Sequence, residues 1–350
     1  MSKMMPDQFP AAVVTGRNRL EVVDVPTLEV GPYDSVCQIN ACSICAATDS
    51  HLVDGTFVKD WMPKWPFVLG HESAGRVVEV GEKVRRFKVG QMVVRPHWMP
   101  DSEQYHGLAS AWGGFAAWGI VRDTFSMHED NGEPIDFLWR SAAPVPDMPA
   151  EDATLFITWR VVMSCVMQMG IKAGDHVVIF GSGGNAMAFT RFAALAGAKV
   201  VMVGSPVRQD MAVRLGATFI DYHLDTEVPA AVSKVLNGHG ADYLIEAVGK
   251  PNDLPKMFEC LAENGTLFLF GLPPDLQFNT NLWTGPSRYT IERKTVAEDL
   301  SHNQVLNYYL AGQLDPHDFY DQSLPLDQIN EGFDKIRNRE AIKITITMPH

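Results

Sequence analysis

Two groups of residues in this chain have the type and spacing to do chemistry. The first is G-S-G-G-N-A at 181–186, directly after the apolar run HVVIF. Between a strand and a helix, this pattern binds a dinucleotide. Gly181 permits the tight turn, Gly183 lets the backbone approach a pyrophosphate, and Gly184 and Asn185 lead into a helix whose N–H groups face the anion. Ala186 is small enough for that helix to pack closely on the strand. The bare alternative is a structural turn, and the strand–turn–helix context favours binding. The next apolar run, AKVVMVG, bears on which dinucleotide. An NAD site usually closes this strand with a carboxylate for the ribose 2′-hydroxyl, whereas here the chain continues Gly204, Ser205, with Arg208 three residues on. NADP is expected over NAD, with Ser205 and Arg208 on the 2′-phosphate; the plainer reading of Arg208 is a solvated helix start.

The second group is Cys45 with Gly70, His71 and Glu72. Thiolate, imidazole and carboxylate are zinc ligands, and three protein ligands with one open position mark a catalytic site. The bland alternative is a core histidine satisfied by hydrogen bonds. Cys42 and Cys45 form a C-x-x-C, but no second pair exists, which excludes a four-cysteine structural zinc site. A redox pair would call for a thioredoxin-like β-α-β setting, and the surrounding sequence is β-rich without it.

These groups need elements to carry them. Residues 11–100 read as short β-rich segments broken by Gly and Pro, and from about 153 the texture changes to strands alternating with helices, the pattern of a parallel sheet covered on both faces. At 350 residues the chain is long enough for two domains. The acidic, proline-broken stretch 128–147 reads as a surface loop. With 29 basic and 42 acidic side chains, a net charge of −13 argues against a nucleic-acid partner. The most apolar stretch, 153–170, carries Arg160 and Gln168, so a buried helix is expected rather than a membrane span. Five cysteines are too few and odd in number for a disulfide framework, and MSKMMPDQFP lacks a secretory h-region, so a reducing cytoplasmic location is expected.

The stretch GHESAGRVVEVGEKV resembles the zinc signature of the medium-chain dehydrogenase/reductase superfamily, in its zinc alcohol and polyol dehydrogenases. SICAATDSHLVDG, WGGFAAWGIV, GSGGNA and LPLDQINEGFDKIRNREAIKITIT follow the same family in order, over nearly the whole chain. The resemblance implies an α/β fold: a GroES-like, mostly β catalytic domain from 1–156 and 298–350, and a doubly wound Rossmann domain at 157–297. It implies that Cys45 and His71 ligate one catalytic zinc, with Glu72 as a ligand or close partner as in sorbitol-dehydrogenase-like members. Val248 and Gly271, after later strands of the Rossmann unit, complete the expected cofactor set.

Departures from the family are as informative. Relatives carry a further Cys or Glu ligand where this chain has Ile157, leaving either three ligands and a water or a weakened metal. Relatives place a hydroxyl two residues after the cysteine; here Ala47 stands there and Thr48 follows, and a one-residue bulge before Gly55 would return Thr48 and His51 to relay positions. The four-cysteine lobe is missing. Trp98 falls at a substrate-wall position, and Trp61, Trp65, Trp112 and Trp283 offer further aromatic surface. The expected activity is reversible hydride transfer between a secondary alcohol and NAD(P). The alternatives are a zinc-independent NADPH reductase of an activated double bond or carbonyl, and a non-catalytic nucleotide-binding protein on this scaffold. A homodimer or homotetramer joined at the sheet edge TLFLFGLP is expected by analogy.

Overall fold

Valine-rich, β-branched runs of the first hundred residues form strands, and the central ones are buried over consecutive residues because both of their faces pack against the rest of the unit. In a computed structural model, which describes residues 4–249, 253–271 and 285–349, the chain divides into two units. One comprises residues 1–158 and 298–350, the other residues 159–297.

The first unit is built on the strand Asp34–Ser43. It pairs antiparallel with Glu72–Val80, with Trp118–Arg122 and with Ile344–Thr347, so a strand from late in the sequence lies beside one from its start. Gln322–Pro325 extends this sheet on one side, and Met92–Val94 and Ala143–Pro144 on the other. A smaller sheet joins Gln8–Gly16, Arg19–Pro26, Phe67–Val68 and Ala109–Ser110. Phe67, Phe115, Ile39, Ile344 and Ile346 are fully buried in the core. Each such side chain contributes roughly 1.5–3 kcal/mol.

The stretch 128–147 is more than the expected surface loop. The helix Thr124–Asn131 enters it, and Trp139 is 4% exposed just before the strand Ala143–Pro144. The apolar residues Trp139, Ala142 and Ala143 give it a face to bury.

The second unit is a parallel sheet. Among the described residues its strands run in the order Ala217–Asp221, Lys199–Gly204, His176–Phe180, Ala241–Glu246, Leu261–Leu269 and Tyr289–Glu292. Numbered by sequence this is 3-2-1-4-5-6, the doubly wound order. Its central strands are near-continuous apolar runs because both faces are covered. The strand TLFLF is not the sheet edge: Tyr289–Glu292 pairs parallel with it and covers its backbone groups. The helix Leu155–Met169 fills the apolar stretch, and among the described residues no helix is long and apolar enough to cross a membrane.

Candidate active site

Register brings the zinc-type ligands together. Ser43 pairs with Glu72 across the two antiparallel strands, and Cys45 lies two residues beyond Ser43. His71 lies between Val68 and Glu72 at a turn that only a residue without Cβ can make: Gly70 sits at φ +108°, and a Cβ there would lie 2.6 Å from the Phe115 backbone nitrogen. The ligand atoms of Cys45, His71 and Glu72 all fall within 4.8 Å of one another. His71 and Glu72 are buried and Cys45 is half-buried.

Asp49, fully buried, organises this group. Its Oδ1 is 3.0 Å from His71 Nδ1, and its Oδ2 accepts the Cys45 N–H at 2.8 Å. With Nδ1 so engaged, Nε2 faces Glu72 Oε1 at 4.0 Å. Burial alone would lower the His71 pKa, but the Asp49 charge and hydrogen bond, with Cys45, outweigh it and raise it to about 10. The other Glu72 oxygen is ion-paired to Lys343, itself 5% exposed. Burial opposes the Lys343 charge, yet the nearby Glu72, Cys45 and Asp49 raise its pKa.

Thiol, imidazole and carboxylate donors converging within 4.8 Å of one another beside Asp49 fit a divalent zinc ion. At the usual further-ligand position, Ile157 is 1% exposed and offers no donor atom, while its neighbour Thr158 donates to Glu72 Oε1 at 3.4 Å.

Other expected residues are placed differently. No bulge precedes Gly55: Thr48–Asp54 is a regular helix, with Asp49 N–H given to the Cys45 carbonyl and His51 N–H to that of Ala47. Regular helical bonding satisfies these donors, so nothing favours an extra residue. His51 Nδ1 pairs with Thr56 Oγ1 at 2.8 Å rather than with Thr48. Trp98 is not a pocket wall. It is fully buried in the core and gives its indole N–H to the Pro26 carbonyl. The aromatic ring against the ligands is that of Trp112, whose centroid lies 5.2 Å from that of His71. Trp283 lies outside the described residues. Asp49 and Lys343 are site residues that sequence reasoning missed. For Asp49 a signal existed, a carboxylate four residues after Cys45 and thus one helical turn away.

In the second unit, the 181–186 loop lies at the carboxyl end of the first strand, beside the switch between strands 1 and 4. Gly181 is at φ +120°, and a Cβ there would lie 2.9 Å from the Ala247 carbonyl oxygen. Space around Gly183 is open, and the helix Gly184–Leu195 has no side-chain cap. An open cradle before an uncapped helix start fits a pyrophosphate. Ala186 is buried. Val248 donates its N–H to Glu246 Oε1 at 2.7 Å, and Gly271 donates its own to the Glu246 carbonyl at 3.0 Å. Gly204 ends its strand, Ser205 gives its N–H to Ser182 Oγ at 3.0 Å, and Arg208 ends the following short turn. The carboxylate level with Gly204 is Asp221 on the neighbouring strand, engaged by the His223 ring at 2.7 Å.

Residues 31–135 match the alcohol dehydrogenase GroES-like domain, and residues 184–299 match the zinc-binding dehydrogenase domain. The chain is 28% identical to an L-threonine 3-dehydrogenase of Pyrococcus furiosus, covering 94% of this chain and 95% of that one. It is 24% identical to a sorbitol dehydrogenase of Bacillus subtilis, over 81% of this chain and 80% of that one. A solved 2R,3R-butanediol dehydrogenase from Bacillus subtilis shares the fold, with a TM-score of 0.78 at 23% identity, covering 98% of this chain and 100% of that one.

Proposed function

Because the chain belongs to the medium-chain dehydrogenase/reductase superfamily, among its zinc-type alcohol and polyol dehydrogenases, we propose that this oxidoreductase interconverts a secondary alcohol and its ketone, with NADP as cofactor and one zinc ion per chain. The observation that carries the reading is the convergence of Cys45, His71 and Glu72 within 4.8 Å of one another, with the His71 ring aimed by Asp49. L-Threonine, sorbitol and 2R,3R-butanediol, the substrates in the relatives' names, all contain a secondary alcohol.

Cys45, His71 and Glu72 would hold the zinc, His71 through Nε2. When bound, zinc supplies Lewis acidity of the kind that takes the pKa of water from about 15.7 to about 7. Thr48 and His51 are not joined in this regular helix, His51 being held by Thr56 Oγ1, so the alcohol proton is not routed through the pair. Trp112 offers an apolar face beside His71 for the carbon body of the substrate. The 181–186 loop holds the cofactor pyrophosphate at its open glycine cradle. Ser205 and Arg208 take the 2′-phosphate, a role supported by the missing carboxylate at that strand end. The nicotinamide supplies the hydride acceptor.

Metal analysis together with a cofactor-reduction screen tests the reading. One zinc per chain and secondary-alcohol-dependent reduction of NADP are expected, and Cys45→Ala and His71→Ala should each lose zinc and turnover together. A variant without zinc that kept full activity would overturn it.

A further inference from the structure

His71 is held by more than its ring. Arg95 follows the strand Met92–Val94 at φ +67°, a left-handed conformation that residues with side chains rarely adopt. Its own N–H goes to the Ser73 carbonyl at 2.8 Å. Its side chain, in a residue only 7% exposed, turns back and donates Nη1–H to the His71 carbonyl at 2.6 Å. The rest of the guanidinium is ion-paired with Glu298, through Nη2 to Oε1 and through Nε to Oε2 at 3.4 Å. Glu298 is 4% exposed and is the first residue of the first unit after the 159–297 segment.

The accepting carbonyl belongs to the peptide that joins His71 to Glu72, so it fixes the plane from which two ligands depart. The Gly70 carbonyl, immediately before, is held by the Gly114 N–H at 2.7 Å, and the Arg95 contact holds the peptide that follows. Burying an arginine and a glutamate together is costly in desolvation, and a strained backbone beside a site is a reason to look for a task there.

We propose that Arg95 and Glu298 are a positioning pair for the metal centre: Arg95 sets the His71–Glu72 peptide, and Glu298 locks the guanidinium that does so. The inference rests on the metal reading above. Groups that orient ligands from outside the coordination sphere typically shift metal affinity 10–100-fold when changed.

The test compares the full-length wild type with Arg95→Lys and with the double variant Arg95→Met/Glu298→Met, which removes both buried charges together and strands neither. Zinc affinity is measured against a chromophoric chelator, and the cobalt-substituted proteins are compared by visible absorption. The double variant is expected to bind zinc about 10–100-fold more weakly and to show altered cobalt d–d and thiolate charge-transfer bands. Arg95→Lys keeps the charge but not the fork, and should shift the bands in the same direction by less. Wild-type zinc affinity with superimposable cobalt spectra overturns the proposal; should the double variant not fold, the Arg95→Lys spectrum decides by the same comparison. A wild type that takes up no cobalt overturns the metal reading itself, and this inference with it.

Discussion

Trp112 holds a bulky side chain at φ +63°, a conformation that costs on the order of 1–3 kcal/mol unless its surroundings enforce it. They do: Gly114 N–H is bonded to the Gly70 carbonyl at 2.7 Å and Phe115 N–H to that of Leu69 at 2.9 Å, so the indole is projected onto His71. An indole face that covers an apolar group contributes on the order of 1–2 kcal/mol. Trp112→Ala should therefore lower kcat/KM about tenfold for alcohols with bulky apolar groups, chiefly through KM, and leave zinc content and small alcohols near wild type. Equal losses across all alcohols in a steady-state series would remove Trp112 from the substrate wall. The donor types Cys45, His71 and Glu72 were readable because each announces its chemistry by residue type. Which of several tryptophans faces them was not. Trp98 and Trp112 are equally aromatic, and only backbone pairing separates them: 109–115 against 67–71 sends Trp112 to the ligands, while Trp98, its N–H on the Gly113 carbonyl, is turned into the core.

At the scale of elements, alternation and glycine punctuation announce strands, but not their partners. The strand Ile344–Thr347 reads as a terminal strand from its sequence, yet its position beside Asp34–Ser43 depends on a contact some three hundred residues away along the chain. That pairing brings in Lys343, whose ammonium group reaches Glu72, and no local pattern signals it. The same blindness to register explains the bulge expected before Gly55, where a regular helix stands. Lys343→Met would leave a buried carboxylate without its cation. Breaking a buried pair from one side costs about 3–5 kcal/mol. The cost should appear in full in metal-free protein and be smaller with zinc bound, because the metal then neutralises Glu72 in place of the ammonium group. Urea denaturation with and without zinc measures both, and Lys343→Met/Glu72→Gln should recover most of the metal-free loss. Equal destabilisation in the two metal states would show that Lys343 and the metal do not share Glu72.

For the whole molecule, the fold class was legible because the texture changes along the chain, short β-rich segments broken by Gly and Pro in one unit and strands alternating with helices in the other, and a parallel sheet buried on both faces requires the near-continuous apolar runs seen in HVVIF and KVVMVG. His97 is fully buried against Trp139, and among the described residues neither ring nitrogen has a hydrogen-bond partner. Burial first, then the positive charges of Arg95 and His71, hold its pKa well below the usual histidine value. In the unfolded chain the same imidazole takes up a proton below about pH 6.5. The unfolded state thus binds the extra proton as pH falls below that value, while the folded state does not until its own lower pKa is reached. Over that window His97 lowers stability by about 1.4 kcal/mol per pH unit, and above it contributes nothing. His97→Leu removes the proton uptake along with two unsatisfied polar atoms, and an apolar replacement of similar size is near neutral or stabilising at such a site. Urea unfolding from pH 7.5 to 5 should show wild type and variant diverging only below about pH 6.5, the variant holding its stability while the wild type declines. Parallel curves through that range would mean that the buried imidazole is protonated in the folded protein, and that a partner for it exists in the core after all.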